Sequence, residues 1–440
     1  MSDFPADLRD RLEAAWERSD LIFGLLTPEA WLQRPIALRQ PFIFYLGHLP
    51  AFAWNHVCRG VLGRPSFNAA FDGLFERGID PVGDDYRPSS ATWPAEREVL
   101  AYRDRVREAL RGSFDDVAAL AGRDELADRG RVYQLAIEHE LMHHETLLYM
   151  LRQLGEVYKR RPAWLPPPAT GGSARAAAVR VPAGPVTLGA SFERLPFGWD
   201  NEFPEHPVEV AAFAMDATPV TNAEYREFLE AGGYERRAGW TDEGWAWKER
   251  AGLSHPNDWK REGDRWLCRT VFDAVPLEEA GAWPVSVSWA EARAYTRWKG
   301  NDLPTEAEFH RAAYGAPSGP AQSHPWGERA PCPADGNFDF RHWAPTPAGS
   351  HPAGASAWGV HELVGNGWEW TASVFAPFPG FQPVLRTYPG YSADFFDGKH
   401  YVMLGGSWAT DAALLRRSFR NWFQPHYPYV FAKFRGVVRD

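Results

Sequence analysis

Two spacings overlap within residues 139–145, His139-Glu140-Leu141-Met142-His143-His144-Glu145. One is H-E-x-x-H, in which a helix turns two histidines to one face to share a zinc ion while the glutamate activates bound water. The other is H-x-x-x-H-x-E, in which the paired histidines hold a metal and Glu140 has no part in the chemistry. A zinc protease needs a third ligand downstream, a histidine beyond a glycine or a glutamate a few turns on. Residues 146–155, "TLLYMLRQLG", carry no ligating side chain, and a proline-rich stretch follows, so peptide hydrolysis is disfavoured. A third imidazole has to come from another helix. "FYLGHLPAFAWNHV" offers His48, set among apolar residues, and His56 two turns later on nearly the same face. An imidazole on such a segment is costly unless it is hydrogen-bonded or ligating. Three neutral imidazoles leave about three positions of an octahedral ion open, which suits redox iron that binds substrates and dioxygen better than a closed zinc site. Glu145, roughly opposite His143 on the helix, is expected to be a solvated or helix-pairing group.

Helices must position these side chains. Residues 1–160 carry four stretches with apolar residues at helical spacing, the longest being "RGRVYQLAIEHELMHHETLLYMLRQLGE", and together they predict an antiparallel four-helix bundle. Residues 161–178 are rich in Pro, Gly and Ala and include three consecutive prolines, which no helix runs through; this is the expected linker. From residue 179 to 440 the texture changes to short apolar strands with many Gly and Pro and helices such as "TNAEYREFLEAGG" and "SWAEARAYTRWKG", an irregular α+β domain. The net charge of −10, with no basic stripe, argues against a nucleic-acid partner. No signal-peptide pattern and no apolar run of spanning length occurs, so no membrane association and a cytoplasmic location are expected. Cys58, Cys268 and Cys332 are far apart and fit free thiols in a reducing compartment. The 21 tryptophans suit a core, and also a pocket for flat or cationic ligands.

"HELMHHET", preceded by "FYLGH", resembles the iron-binding half of the sulfoxide synthases of ergothioneine and ovothiol biosynthesis, whose N-terminal part is a DinB-like four-helix bundle. "MDATPVTNAEYREFLEAGGY", "WPVSVSWAEARAYTRWKGNDLPTEAEF", "GVHELVGNGWEW", "LGGSW" and a terminal "FRNW…FAKFRG" resemble the formylglycine-generating-enzyme fold, a C-type-lectin-like α+β domain. The resemblance runs from about residue 40 to the end. Formylglycine-generating enzymes use a cysteine pair near the C-terminus, and this chain has none after Cys332, so its second domain is expected to be a scaffold and substrate pocket. The resemblance implies an Fe(II) ion on His48, His139 and His143, dioxygen as co-substrate, and a reaction joining a chalcogen donor to C2 of the imidazole of hercynine. It further implies that Tyr388 or Tyr391 of "YPGYS" supplies the proton or hydrogen atom for bond formation. It implies too that Asn421 hydrogen-bonds the hercynine carboxylate and that Trp422 faces its trimethylammonium. Gly365, Asn366, Trp368, Glu369 and Trp370 read as marks of the fold.

Relatives that use γ-glutamylcysteine typically carry Gln before the second motif histidine, an arginine-rich stretch after the first helices and an Asp after the terminal Asn-Trp. Here those places hold Met142, the acidic "FERGIDPVGDDYRP" and Phe423. A donor with two carboxylates wants arginines; a neutral, hydroxyl-rich donor suits Asp80, Asp84 or Asp85 as acceptors. The expectation is therefore a selenosugar donor, as in selenoneine synthases. Cysteine, γ-glutamylcysteine or another thiol donor is the alternative. A non-catalytic binding scaffold and a zinc hydrolase are the competing classes.

Overall fold

The amphipathic stretches of the first half form α1 (Leu8–Phe23), α2 (Phe42–Ala53), α3 (Ala69–Phe75), α4 (Glu96–Arg111), α5 (Phe114–Ala118) and α6 (Arg131–Gln153). The computed structural model describes residues 4–76, 93–172 and 177–439. It divides into a first unit, Met1–Ala163 with Leu385–Thr387, and a second, Trp164–Val384 with Tyr388–Asp440. In the first unit α1 packs on α6, and α2 packs on both α4 and α6. Every residue of α2 is buried, as expected of a helix that is apolar all round. Pro50 withholds one backbone N–H inside α2, and four residues later the helix widens into a π-helical stretch, Trp54–Val61. By contrast α4 keeps a charged outer face, from which Arg107 reaches Asp20 of α1 at 2.7 Å and Arg111 reaches Glu13 at 2.6 Å. Half-exposed pairs of this kind add little stability, so the apolar face of α4 does most to hold it.

The start of α6 is set by Gly130, whose φ is +62° and whose absent Cβ would lie 2.3 Å from Leu8 Cδ1. No other residue type fits that turn without strain. From there α6 buries 21 of its 23 residues; Met142 and Gln153 are the exceptions. Leu385–Thr387 join this unit through Arg386, which donates to the Gly60 carbonyl at 3.1 Å and pairs with Asp124. Nothing in the sequence pattern signalled that association.

The second unit contains β1 (Val179–Val181), β2 (Gly184–Leu188), β3 (His206–Val210), β4 (Phe213–Met215), β5 (Trp259–Glu262), β6 (Arg265–Arg269), β7 (Ala274–Pro276), β8 (Trp368–Val374), β9 (Tyr401–Leu404), β10 (Asn421–Phe423), β11 (Ala432–Lys433) and β12 (Val437–Arg439). Its helices are α7 (Asn222–Glu230), α8 (Asp242–Ala251), α9 (Trp289–Lys299) and α10 (Glu306–Tyr314). Thr221 with Glu224, Ser288 with Glu291 and Thr305 with Glu308 form reciprocal capping boxes that start α7, α9 and α10. The largest sheet has the order β10-β9-β8-β11, with Trp422 opposite Val402 in antiparallel register and β11 parallel to β8. Beneath it Glu369 of β8 accepts from Lys433 at 2.6 Å and Arg435 at 2.8 Å, all three at most 1% exposed. Burial opposes ionisation of Glu369, but the Arg435 and Lys433 charges outweigh it and hold the carboxyl below its ordinary range. Asn366 adopts φ +65° and accepts the Thr346 N–H at 2.9 Å. Both residues therefore serve the fold. No helix among the described residues is long and apolar enough to cross a membrane.

Candidate functional site

In the first unit α2 and α6 bring His48, His139 and His143 together, each offering a nitrogen within 4.8 Å of the other two. His139 and His143 share one face of α6, and their Nε2 atoms are 3.1 Å apart. His48 Nδ1 lies 2.7 Å from the Phe75 carbonyl oxygen. That oxygen can only accept, so Nδ1 carries the proton and Nε2 keeps its lone pair. Three nitrogens of this cluster, His48 Nε2, His139 Nδ1 and His143 Nδ1, are buried without a hydrogen-bond partner among the described residues. The orphaned His48 Nε2 costs on the order of 1–3 kcal/mol, which a cation shared with the facing Nε2 atoms of His139 and His143 would relieve. Burial pushes His48 down to about 4 and holds His139 and His143 well below the usual imidazole range. All three are neutral at physiological pH and can each offer a lone pair. The residues therefore fit a metal ion.

Aromatic rings fix the geometry. Phe52 stacks on His139 at 3.5 Å between centroids with planes 3° apart, and Phe44 stacks on His48 at 4.9 Å. His56 packs on Phe52 and is not a member of the three-histidine group. By position, His48 and not His56 is grouped with His139 and His143.

On the other faces of α6 two carboxylates are buried. Glu140 is neither a metal-side base nor a surface carboxylate. It is 3% exposed and accepts the Ser19 hydroxyl at 2.5 Å, while His144 Nε2 lies 2.8 Å from the same hydroxyl oxygen. Burial raises the Glu140 pKa. Glu145, expected to be solvated or to pair helices, is buried as well, which removes the solvated alternative. The reason is common to both: α6 is enclosed by its neighbours on every side. Met142 is the one residue between Arg131 and Arg152 that stays half-buried, next to His143.

In the second unit a separate cluster gathers the other predicted residues. The Trp422 ring stacks on Phe375 at 4.2 Å and meets Tyr391 edge-on at 5.3 Å. Tyr391 in turn stacks on Trp199 at 4.0 Å and sits 5.4 Å from Tyr388. Burial, reinforced by Asp394 and Asp200, pushes Tyr388 up to about 12, so its phenol is protonated at neutral pH. Asn421 Oδ1 accepts the Trp422 N–H at 2.9 Å, which leaves the Nδ2 amino group, a pure donor, for a ligand. Phe423 stacks on Tyr427 at 5.0 Å. Trp199, Asp200 and Ser392 were missed by sequence reasoning. Ser392 bonds Asp200 and accepts from Asn201, and burial lifts the Asp200 carboxyl to about 6. No spacing links Trp199 and Asp200 to Tyr391, so the sequence held no signal for them. Asp80, Asp84 and Asp85 lie outside the described residues.

The sequence matches the DinB superfamily over residues 11–147 and the sulfatase-modifying factor enzyme 1-like domain over residues 166–440. It is 41% identical over 412 residues to the hercynine oxygenase of Mycolicibacterium thermoresistibile, covering 90% of this chain and 87% of that one. It is 40% identical over 323 residues to the hercynine oxygenase of Mycobacterium tuberculosis, covering 69% and 70%. With ergothioneine biosynthesis protein 1 of Neurospora crassa it shares 34% identity over 517 residues, covering 98% of this chain but only 57% of the relative's own length.

Proposed function

The chain belongs to the hercynine oxygenase family of ergothioneine biosynthesis enzymes, and from that premise we propose an iron(II)- and dioxygen-dependent oxidoreductase that joins a chalcogen donor to C2 of the imidazole of hercynine. The observation that carries this reading is the set of three buried, neutral imidazoles with orphaned nitrogens. The reaction balances as hercynine C–H plus donor R–XH plus O2 giving hercynine C–X(=O)–R plus H2O, with X sulfur or selenium. Iron bound by three imidazoles supplies open coordination positions and the redox chemistry for that coupling.

The protein's own residues bind and orient. The Phe75 carbonyl keeps the His48 ring in the tautomer that presents Nε2, and Phe52 holds the His139 plane. Asn421 donates from Nδ2 to the hercynine carboxylate, and the Trp422 ring attracts the trimethylammonium. Tyr388 or Tyr391 holds the proton that bond formation requires; the raised pKa of Tyr388 keeps its O–H available as a donor. Trp199 stacks on Tyr391, and Trp422, itself stacked on Phe375, meets the Tyr391 ring edge-on.

For the donor, a neutral selenosugar is the reading we favour. Phe423 offers a ring stacked on Tyr427 and no group that would pair an amino or carboxylate function. Met142, half-buried beside His143, contributes a polarisable apolar contact, and Asp80, Asp84 and Asp85 would accept hydroxyls. A sulfur donor, cysteine or γ-glutamylcysteine, is the second reading, favoured by the relatives' place in ergothioneine biosynthesis. The test is reconstitution with Fe(II) without oxygen, followed by aerobic incubation with hercynine and all donors in competition, products read by mass. Selenosugar adducts support the first reading and thiol adducts alone establish the second. No adduct from any donor overturns both.

A further inference from the structure

The second unit holds a cavity of about 280 Å3 where α10 lies over β2. It is lined by His310, Arg311 and Tyr314 of α10, by Gly184–Thr187 and the 315–321 turn, and by Arg417. None of the histidines, tyrosines or Asn421–Phe423 residues assigned above faces it. Arg311 is engaged already: its Nε and Nη2 donate to the Pro182 and Ala183 carbonyls, and its guanidinium lies over Trp358. The side chains of His310, Tyr314 and Arg417 are not engaged. His310 is 3% exposed and Tyr314 is 4% exposed, and neither side chain makes a hydrogen bond among the described residues. Half-buried Arg417 has no carboxylate within ion-pair distance among those residues. The cavity lining includes no Asp or Glu. Glu328 feels the Arg417 charge, yet its own oxygens are taken by the Ser323 hydroxyl at 2.6 Å and the Ser323 N–H at 3.0 Å.

Burial holds His310 down to about 3 and raises the Tyr314 phenol, so one is a neutral imidazole and the other a protonated O–H. The cavity thus combines a cation that cannot lose its charge, two neutral donors and apolar wall from Ala183, Pro185, Val186 and Ala321. Three polar side chains without a protein partner line this one cavity, a concave place with apolar wall where a ligand can complete their bonding. We propose that this cavity binds a small organic oxyanion, a carboxylate or a phosphate monoester, with Arg417 pairing its oxygens and Tyr314 and His310 donating to them. The apolar wall takes the organic part. Arg417 reads carboxylate and phosphate through the same planar fork.

The test is calorimetric titration of the full chain with inorganic phosphate, glycerol 3-phosphate and succinate in a chloride buffer, repeated on Arg417→Gln and Tyr314→Phe. At least one probe is expected to bind. Loss of a charged hydrogen-bond partner weakens binding by about tenfold or more in Arg417→Gln, and loss of one hydroxyl weakens it several-fold in Tyr314→Phe. Phosphates binding without succinate identify a phosphate site, and the reverse identifies a carboxylate site. If Arg417→Gln lowers the thermal melt, Tyr314→Phe, which removes a single oxygen, decides. No binding of any probe by the wild type tighter than about 10 mM, or equal binding by wild type and Tyr314→Phe together with Arg417→Gln, overturns the proposal.

Discussion

Replacing Gly47 with alanine puts a Cβ 2.4 Å from Cζ of Phe75 and 2.5 Å from Cε1 and Cε2. The ring cannot swing aside, because Phe75 is fully buried and packed by Phe44 at 6.2 Å, Phe71 at 5.5 Å and Tyr102 at 6.3 Å. Overpacking of this kind costs about 1–3 kcal/mol. Alanine in a helix regains about 1 kcal/mol over glycine, so the net loss is about 0–2 kcal/mol. At roughly 2–4 °C per kcal/mol for a unit of this size, the melt falls by no more than about 8 °C. The larger effect is functional, since Phe75 also carries the carbonyl that fixes the His48 tautomer at 2.7 Å. Moving that carbonyl weakens metal binding by about 10–100-fold. Metal titration and a thermal melt on Gly47→Ala measure both terms. In the double variant Gly47→Ala with Phe75→Leu the clashing ring atoms are gone and the backbone carbonyl remains, so metal affinity returns toward the wild-type value. Native metal affinity in Gly47→Ala, or no recovery in the double variant, refutes the reasoning.

Glu369→Gln leaves Lys433 and Arg435 buried without a carboxylate and destabilises the second unit by about 3–5 kcal/mol, read by chemical denaturation. The depressed pKa of Glu369 means that its contribution is fully present above the ordinary carboxylate range and is lost as the pH falls through the lowered folded value. The wild type therefore loses stability on acidification where Glu369→Gln loses less, and parallel acid limbs in the two proteins contradict this. Asn421→Asp keeps the acceptor for the Trp422 N–H but swaps the donor for a carboxylate; the hercynine KM rises about tenfold or more, and an unchanged KM removes Asn421 from the site. Of Tyr388→Phe and Tyr391→Phe, the variant lacking the proton donor forms product about 10²–10⁴-fold more slowly while binding hercynine normally. Undiminished product formation in both removes the tyrosines from the mechanism.

What the sequence revealed was local or periodic. The His139–His143 spacing fixes two imidazoles on one helical face whatever surrounds them, and the Thr-x-x-Glu and Ser-x-x-Glu boxes start α7, α9 and α10 from four residues each. His48 was legible because a histidine in an otherwise apolar helix needs a partner. What escaped was set by contacts between distant segments. The Phe75 carbonyl lies 27 positions from His48, and Ser19 lies 121 positions from Glu140. Glu140 and Glu145 look exposed in one helix drawn alone and are buried only because α6 is surrounded. The stacking of Trp199 on Tyr391 and the return of Leu385–Thr387 to the first unit have the same origin.

The account rests on the three histidines holding a redox-active iron, and the direct measurement is metal stoichiometry with oxygen uptake on the same protein. The purified chain is expected to take up one Fe(II), to consume oxygen when hercynine and a donor are both present, and to lose metal and oxygen uptake together in His139→Ala and His143→Ala. Zinc occupancy without oxygen consumption, or oxygen uptake that survives both substitutions, contradicts it.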